Sequence, residues 1–406
     1  MKATCKILKP LVLCLAGGAA AAVAARPKII IENDFGSTAF TTFLQAFDAG
    51  WDVLGLVGDT ANTWALQSSL HALALLERAG LSSCVPVHKG ADYPLLNTPE
   101  LHQLWQARHG ALPWQGVFKP ENATAEAAGW DPTSGDPGRV VPEAFAEGYP
   151  NGTLAGARAA AWMVEQVRRH PGEVLIYSGG ALTNIALAVR MDPEFASLAK
   201  GLVVMGGYVD VFLLQTSGDS LQADINSDLN LKIDPEAAKI ALTADFPSIT
   251  LIGNGANQFI PSQEFKDEVF QVQNPFTQLF HDRIDITLPL WDEIALFAGL
   301  FPSHVLNSTS FYVDVDTAWS SPFYGNIIPK QPSMVGKSQR LKRVKFVHSV
   351  NTTEFQAHLK HALQHPKTGC NMLGQDVQRV DIRAGACSLV SLLPQGGAKE
   401  LFARSM

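Results

Sequence analysis

Short apolar runs alternate along the chain with longer segments in which apolar residues recur every three or four positions. The first run, at residues 28–32, predicts a strand buried on both faces, and residues 38–49 predict an amphipathic helix. The same alternation predicts further strands at residues 52–57, 85–88, 173–177, 202–205 and 248–252, with a second helix at residues 64–79.

Strands that alternate with helices predict βαβ units and a mostly parallel central sheet covered by helices on both faces. Because the chain has no internal repeat and no long linker, we expect a single large α/β domain over residues 25–406. Residues 97–151 differ from the rest, since they hold seven prolines and three tryptophans. This stretch predicts an ordered, loop-rich insertion over the sheet, with a flexible surface loop as the alternative.

The first 24 residues have the pattern of a signal peptide, which is removed from the mature protein. Lys2, Lys6 and Lys9 precede a short apolar run, and the small residues Ala22 and Ala24 follow it. A membrane anchor is the alternative, but the apolar run is shorter than the ~18 residues of a spanning helix. We therefore expect a secreted, extracellular protein.

Composition narrows the class of protein. The 406 residues are 47% hydrophobic and 17% charged, which excludes a disordered chain. The net charge of −7 becomes −10 when three lysines and no acids leave with the signal peptide. An acidic chain of this kind does not favour binding to nucleic acid, and no later stretch suits a membrane.

Four glycosylation sequons agree with export. They begin at Asn122, Asn151, Asn307 and Asn351.

Three cysteines remain after the signal peptide. The sequence favours a bridge between Cys370 and Cys387, with Cys84 buried beside an apolar strand, and three free buried thiols are the alternative.

The most informative polar cluster follows the first strand. Glu32, Asn33 and Asp34 stand where a buried strand meets a loop, and a helix follows. Buried acids are costly unless they are paired or bind a cation. The cluster therefore predicts either a functional site or a capped helix start, with Ser37 or Asp34 as the cap.

Around this cluster the chain resembles the inosine/uridine-preferring nucleoside hydrolases, a family of calcium-dependent N-ribohydrolases. The family opens with Asp-x-Asp-Pro-Gly-x-Asp-Asp after a strand, and further motifs follow in the same order from about residue 28 to residue 298. The matching segments are residues 32–39 (ENDFGSTA), 58–62 (GDTAN), 85–95 (VPVHKGADYPL), 179–187 (GGALTNIAL), 203–207 (VVMGG), 228–238 (DLNLKIDPEAA) and 291–292 (WD).

The resemblance implies a role for each matching residue. Asp34 would bind calcium and act as the general base on water, and Thr183, through its carbonyl, and Asp292 would complete the metal site. Ribose hydroxyls would be bound by Asn62, Asp228 and Asn230. Calcium prefers such oxygen ligands, and a carboxylate near a metal-bound water can activate it at neutral pH.

Departures from the family pattern fall at the metal loop and at the leaving-group side. Thr38 and Ala39 replace the paired aspartates, so Thr38 retains only a hydroxyl that could bind the substrate. Glu32 or Asp59 is the candidate acid that would compensate for the carboxylates lost from the metal site. Trp291 replaces a histidine and is expected to stack on the base.

Three tryptophans of the insertion could line a base pocket, although core packing is favoured. They are Trp105, Trp114 and Trp130.

The sequence thus predicts a secreted N-ribohydrolase that cleaves ribonucleosides to base and ribose, with Ca²⁺ as cofactor and a nucleoside as its small-molecule partner. Two alternatives remain open: an inactive nucleoside- or sugar-binding glycoprotein, and a hydrolase of another glycoside that uses a carboxylate pair. The resemblance also allows a homo-oligomer, although glycans could cover its interface.

Overall fold

The computed structural model describes residues 26–36, 41–112, 114–209, 228–336 and 338–373. Within these ranges nine strands form one sheet in the order β3-β2-β1-β4-β5-β6-β9-β7-β8. The strands are β1 (Lys28–Asn33), β2 (Asp52–Gly58), β3 (Val87–Lys89), β4 (Val174–Ser178), β5 (Gly201–Met205), β6 (Ile249–Ile252), β7 (Val305–Val315), β8 (Ile327–Lys330) and β9 (Lys342–Val350).

Helices cover both faces of the sheet. In chain order they are α1 (Thr41–Asp48), α2 (Ala65–Arg78), α3 (Pro99–His109), α4 (Ala123–Ala127), α5 (Ala159–Arg169), α6 (Thr183–Met191), α7 (Phe195–Leu198), α8 (Leu229–Ile233), α9 (Pro235–Leu242), α10 (Gln263–Phe270), α11 (Pro275–Arg283), α12 (Trp291–Leu300) and α13 (Thr352–Gln364). None of the helices in the described ranges has the length and apolarity to span a membrane.

Two hydrophobic cores lie on opposite faces of the sheet. Ile29 and Ile31 of β1 belong to the core beneath α1, α2, α12 and α13, whereas Ile30 belongs to the core beneath α5, α6 and α9. Successive side chains of a strand point to opposite faces, so an all-apolar strand requires helices on both sides. The predicted α/β class is confirmed, and the six predicted strands are present with small shifts at their ends.

The C-terminal end of the sheet is antiparallel. Strand β7 pairs antiparallel with both β8 and β9, while β9 joins β6 in parallel. Pro329 lies in β8, which is an edge strand, where a missing backbone N–H is tolerated.

The described residues of the proline-rich insertion are anchored to the start of α2. The Thr63 hydroxyl donates to the Pro132 carbonyl at 2.7 Å, and the Trp64 indole donates to the Ser134 carbonyl at 2.7 Å. Helix α3 begins with Thr98 as its N-cap, where the side chain accepts from the Leu101 N–H. These bonds fix the insertion over the carboxyl ends of β1 and β2.

The cysteine pairing differs from the expectation. Cys84 is bonded to Cys370, with 5.9 Å between the Cα atoms, so the favoured Cys370–Cys387 bridge is wrong and so is the alternative of three free thiols. The Gly369 N–H donates to the Ala79 carbonyl, which brings the chain after α13 to the end of α2. Linear spacing favoured two cysteines close in sequence, whereas the fold brings together two that are 286 residues apart. Cys387, like the predicted signal peptide, lies outside the described residues.

We predict that Cys84→Ser lowers the free energy of unfolding by about 2–4 kcal/mol, because the bridge removes chain entropy from the unfolded state. Chemical denaturation under oxidising conditions measures this change. Cys387→Ser is the control and should leave stability unchanged. Non-reducing peptide mapping that found Cys370 joined to Cys387 would contradict the pairing.

Candidate active site

Several acidic side chains meet at the carboxyl ends of the central strands. Glu32 is the last residue but one of β1 and Asp34 follows the strand, Asp59 follows β2, and Asp292 lies in the first turn of α12. The Tyr177 hydroxyl on β4 donates to the Asp292 carbonyl at 2.9 Å and so holds the start of α12 against the sheet. This edge is where open α/β sheets bind ligands.

Asp59 is the most deeply placed of these acids. It is fully buried, and within the described part of the chain neither of its carboxylate oxygens has a hydrogen-bond partner. A Cβ atom at Gly180 would lie 2.5 Å from Asp59 Oδ1, so only glycine leaves room for the carboxylate. Fully buried carboxylate oxygens without donors call for a cation or a proton.

Burial raises the pKa of each acid, and the charges of neighbouring acids raise the pKa values of Asp59 and Asp292 further. Burial raises the pKa of Asp59 well above its ordinary value, and the charges of Glu32, Asp34 and Asp292 raise it further. Burial likewise raises the pKa of Glu32 to about 8 and that of Asp34 to about 7. The pKa of Asp292 is also raised well above normal, first by burial and then by the charge of Asp34. A bound cation would relieve this repulsion.

The donor set fits calcium by its chemistry. Carboxylates are the ligands that calcium prefers, and the partnerless oxygens of Asp59 are of that type. Across the described ranges, however, no three of these four acids bring ligand oxygens within 4.8 Å of one another. A cation held here would therefore draw the carboxylates inward or take main-chain and water oxygens among its 6–8 ligands.

Thr183 stands at the start of α6 and is buried. Its hydroxyl donates to Asp234 Oδ2 at 2.7 Å, while Asp234 Oδ1 caps α9 through the Ala237 N–H. The side chain of Thr183 thus fixes α6 against α9. The metal-binding role expected for its carbonyl stays a prediction.

Asp228 and Asn230 lie beside β5 and are also buried. Asp228 Oδ2 accepts from the Gly207 N–H at 2.6 Å, and Asn230 Nδ2 donates to the carbonyls of Gly179 and Met205. Both side chains are oriented by the main chain at the ends of β4 and β5. A sugar hydroxyl would meet Asp228 Oδ1 or Asn230 Oδ1, and this role too stays a prediction.

Above the acids lies a cavity of about 480 Å³. Four of the predicted site residues line it, which are Asp34, Asn62, Trp291 and Asp292. The other lining residues are Gly36, Thr63, Trp114, Gly129, Trp130, Asp131, Ala144, Arg283, Ile284, Asp285, Leu288, Pro289, Leu290 and Glu293.

Hydrogen bonds orient the polar and aromatic wall of this cavity. The Asn62 N–H donates to Asp34 Oδ2 at 2.9 Å, and Asn62 Oδ1 accepts from the Trp114 indole at 2.9 Å. The Trp291 indole donates to Asn257 Oδ1 at 2.7 Å. These bonds leave the indole faces as apolar surfaces that suit stacking on a flat base.

The three tryptophans of the insertion divide between two roles. Trp105 is buried in a small core and donates to the Ser321 carbonyl, as the packing interpretation expected. Trp114 and Trp130 instead line the cavity and are partly exposed, so for them the packing preference was wrong. The sequence could not separate them, because a loop has no periodicity that assigns a side chain to a face.

Sequence reasoning assigned no role to Asp131, which reaches the cavity from the insertion. Its position between Trp130 and Pro132 carried the only signal, an acid within an aromatic turn. Asp59 was assigned only a compensating role, yet it stands directly after β2, at the centre of the acidic cluster. Thr38, predicted to bind substrate, and Ala39 lie outside the described residues.

Comparison with known proteins places this geometry in context. A family model described as inosine-uridine preferring nucleoside hydrolase matches residues 29–357. An uncharacterized protein of Schizosaccharomyces pombe is 31% identical over 349 residues, which is 82% of this chain and 84% of that protein. A probable uridine nucleosidase 1 of Oryza sativa is 34% identical over 220 residues, 54% of this chain and 56% of its own length. A solved plant nucleoside hydrolase superposes with a TM-score of 0.64 at 21% identity, over 84% of this chain and 100% of that one.

Together, the fold, the acids beneath the cavity and the family match define the class as hydrolases of N-glycosyl compounds. Since the family model covers most of its length, the chain belongs to the inosine-uridine preferring nucleoside hydrolases. The resemblance seen in the sequence motifs is thereby confirmed, and with it the single α/β domain.

We predict that the cation-free protein loses stability as pH rises from about 4 to about 8. The folded-state pKa values of Asp34 (about 7) and Glu32 (about 8) exceed the ordinary values of 3.8 and 4.5, so folding favours the protonated forms and stability falls as they ionise. Calcium should therefore raise Tm by roughly 2–4 °C or more at pH 8, which corresponds to about 1 kcal/mol in the free energy of unfolding. The rise in Tm should be smaller at pH 5. Thermal unfolding with calcium, with magnesium and with chelator measures this. An equal rise at both pH values would contradict it.

Proposed function

We propose that this protein hydrolyses the N-glycosidic bond of ribonucleosides to free base and ribose, using water activated by Asp34 beside a bound calcium ion. The observation that carries the proposal is the position of Asp34. Its carboxylate lines the aromatic-walled cavity and adjoins a cluster of buried acids. A cation beside it would favour the ionised form, and an ionised carboxylate can accept a proton from water at physiological pH.

The residues of this chain divide the reaction between them. The Asn62 N–H donates to Asp34 Oδ2 and so orients the carboxylate that is proposed to take the proton from water. Cleavage builds positive, oxocarbenium-like charge on the sugar, and the surrounding carboxylates stabilise such charge. A bound divalent cation supplies the acidity that makes its water easier to deprotonate. Asn62, Asp228 and Asn230 are the residues proposed to hold ribose hydroxyls, together with Thr38.

The leaving-group side of the cavity favours stacking over protonation. Trp291, Trp114 and Trp130 line the cavity there, and Trp291 is held by Asn257. Uridine is the first substrate to test, because the rice relative is named a probable uridine nucleosidase and an Escherichia coli relative, 22% identical over 78% of this chain and 91% of its own length, a pyrimidine-specific ribonucleoside hydrolase.

We predict that the wild-type protein releases base from uridine or inosine and that chelation abolishes this release until calcium is restored. Asp34→Asn keeps the shape of the side chain but removes the base, so kcat should fall by about 10²–10⁴-fold. Asp245→Asn is the matched control, because Asp245 is exposed and precedes β6, at the edge of the sheet opposite the carboxyl ends that carry the acids; it should retain full activity. Base release is followed by ultraviolet absorbance.

Each other outcome selects a different function. Nucleoside binding without base release would favour a binding glycoprotein. Release that is insensitive to chelator would favour a hydrolase that uses a pair of carboxylates, and full activity in Asp34→Asn would remove Asp34 as the base.

We further propose that the protein is a secreted glycoprotein. The signal-like N-terminus supports this, as do the Cys84–Cys370 bridge and the exposed positions of Asn122, Asn151 and Asn307. Disulfides persist chiefly in oxidising compartments.

Expression of the full chain in a eukaryotic host tests export. We expect protein in the medium that begins at about residue 25 and loses mass on treatment with an N-glycosidase. Removal of residues 2–24 should retain the protein inside the cell. Retention of the full chain inside the cell without glycans would contradict this proposal.

A further inference from the structure

A row of three ionisable side chains runs from the core to the cavity. His71 on α2 is fully buried and lies between Glu147 and Asp131 of the insertion. Its Nδ1 atom lies 2.5 Å from Glu147 Oε1, and its Nε2 atom lies 2.8 Å from Asp131 Oδ1. Phe145 stacks on the imidazole with 4.1 Å between ring centroids. With a carboxylate on each nitrogen, both nitrogens act as donors and the ring is held in one orientation.

Asp131 is fixed at one oxygen and open at the other. Asp131 Oδ1 accepts from His71 and, at 2.8 Å, from Gln67 Nε2, while Gln67 Oε1 accepts from the Val141 N–H. In the described parts of the chain no protein donor contacts Oδ2. The side chain is 29% exposed, whereas those of His71 and Glu147 are not exposed at all, so the row ends at the cavity.

This carboxylate is directed toward the loop that carries the proposed base. Asp131 and Asp34 line the same cavity, and a Cβ atom at Gly36 would lie 3.5 Å from Asp131 Oδ2. The paired aspartates of the family motif are absent at positions 38 and 39 of this sequence. The insertion thus brings a carboxylate from a different part of the chain to the rim of the same loop.

Stability alone does not account for the row. Replacing buried ionic groups with well-packed apolar residues is often neutral or stabilising, and an ion pair made only for packing needs no carboxylate at a cavity wall. A hydrogen-bond acceptor that is held rigidly at a binding site can instead offset the free-energy cost of its desolvation, because it does not have to be ordered when the ligand binds.

We propose that Asp131 is a substrate-binding residue, whose Oδ2 accepts a hydrogen bond from a sugar hydroxyl of the nucleoside, and that His71 and Glu147 are the positioning residues that hold it. This inference rests on the proposed function, in which the cavity takes a nucleoside. It assigns the insertion a direct part in substrate recognition.

A comparison of uridine with its 2′-, 3′- and 5′-deoxy analogues tests the proposal. Loss of one hydrogen bond to a charged group should lower kcat/KM of Asp131→Asn for uridine by about 10–100-fold. For the analogue that lacks the bonded hydroxyl, the same substitution should lower kcat/KM by less than about 3-fold, because the hydrogen bond is already absent. Glu143→Gln, an exposed acid on the same insertion, is the control and should behave as wild type.

The positioning residues need a separate readout. His71→Gln should raise KM for uridine about as much as Asp131→Asn does, with a smaller change in kcat. The double variant should have a kcat/KM only slightly lower than that of either single variant, because both substitutions disturb the same hydrogen bond. Circular dichroism and Tm establish that each variant is folded. If His71→Gln does not fold, the analogue comparison with Asp131→Asn decides.

The outcomes separate this proposal from the proposed function. Suppose that wild type cleaves uridine, and that Asp131→Asn lowers kcat/KM equally for uridine and all three analogues or does not lower it at all. The role of Asp131 is then overturned, while the proposed hydrolase activity is retained. If wild type cleaves nothing, uridine binding measured by tryptophan fluorescence replaces kinetics. Weaker binding in Asp131→Asn than in Glu143→Gln would then support Asp131 while the proposed function fails, and no binding to wild type would overturn both.

Discussion

Repulsion among buried carboxylates is the constraint on which the rest of this structure depends. Glu32, Asp34, Asp59 and Asp292 meet at the carboxyl ends of parallel strands, where burial raises all four pKa values and neighbouring carboxylates raise those of Asp59 and Asp292 further. Such a cluster persists only because the surrounding fold is rigid and because a cation or protons can neutralise it. The two apolar cores supply that rigidity, since β1 is buried on both faces from Ile29 to Asn33.

The same constraint divides the site into two layers. The lower layer of buried acids can attract a cation, and the upper layer is a cavity with aromatic walls that can hold a flat base. Asp34 belongs to both layers, so the residue proposed as the general base lies between the buried acids and the cavity. The insertion contributes most of one wall, so residues outside the family motifs shape what this member can bind.

Main-chain hydrogen bonds, rather than surface ion pairs, orient the site. Asp34 is held by the Asn62 N–H, Asp228 by the Gly207 N–H, and Asn230 by two strand carbonyls. Gly179, Met205 and Gly207 lie at or next to the ends of β4 and β5, and Asn62 lies in the loop that joins β2 to α2, so the sheet itself sets the positions of these side chains. Exposed pairs such as Arg169–Glu165 contribute little by comparison.

The sequence by itself determined the α/β class, the first six strands and the acidic cluster after β1, because apolar periodicity and local motifs are properties of neighbouring residues. Only the tertiary structure decided which distant residues meet. It paired Cys84 with Cys370, separated Trp105 from Trp114 and Trp130, and brought Asp131 to the cavity on a buried His71. These contacts join residues 60 or more positions apart or lie in a loop without periodicity, so no local pattern could encode them. They depend on how the insertion and the C-terminal segment pack against α2.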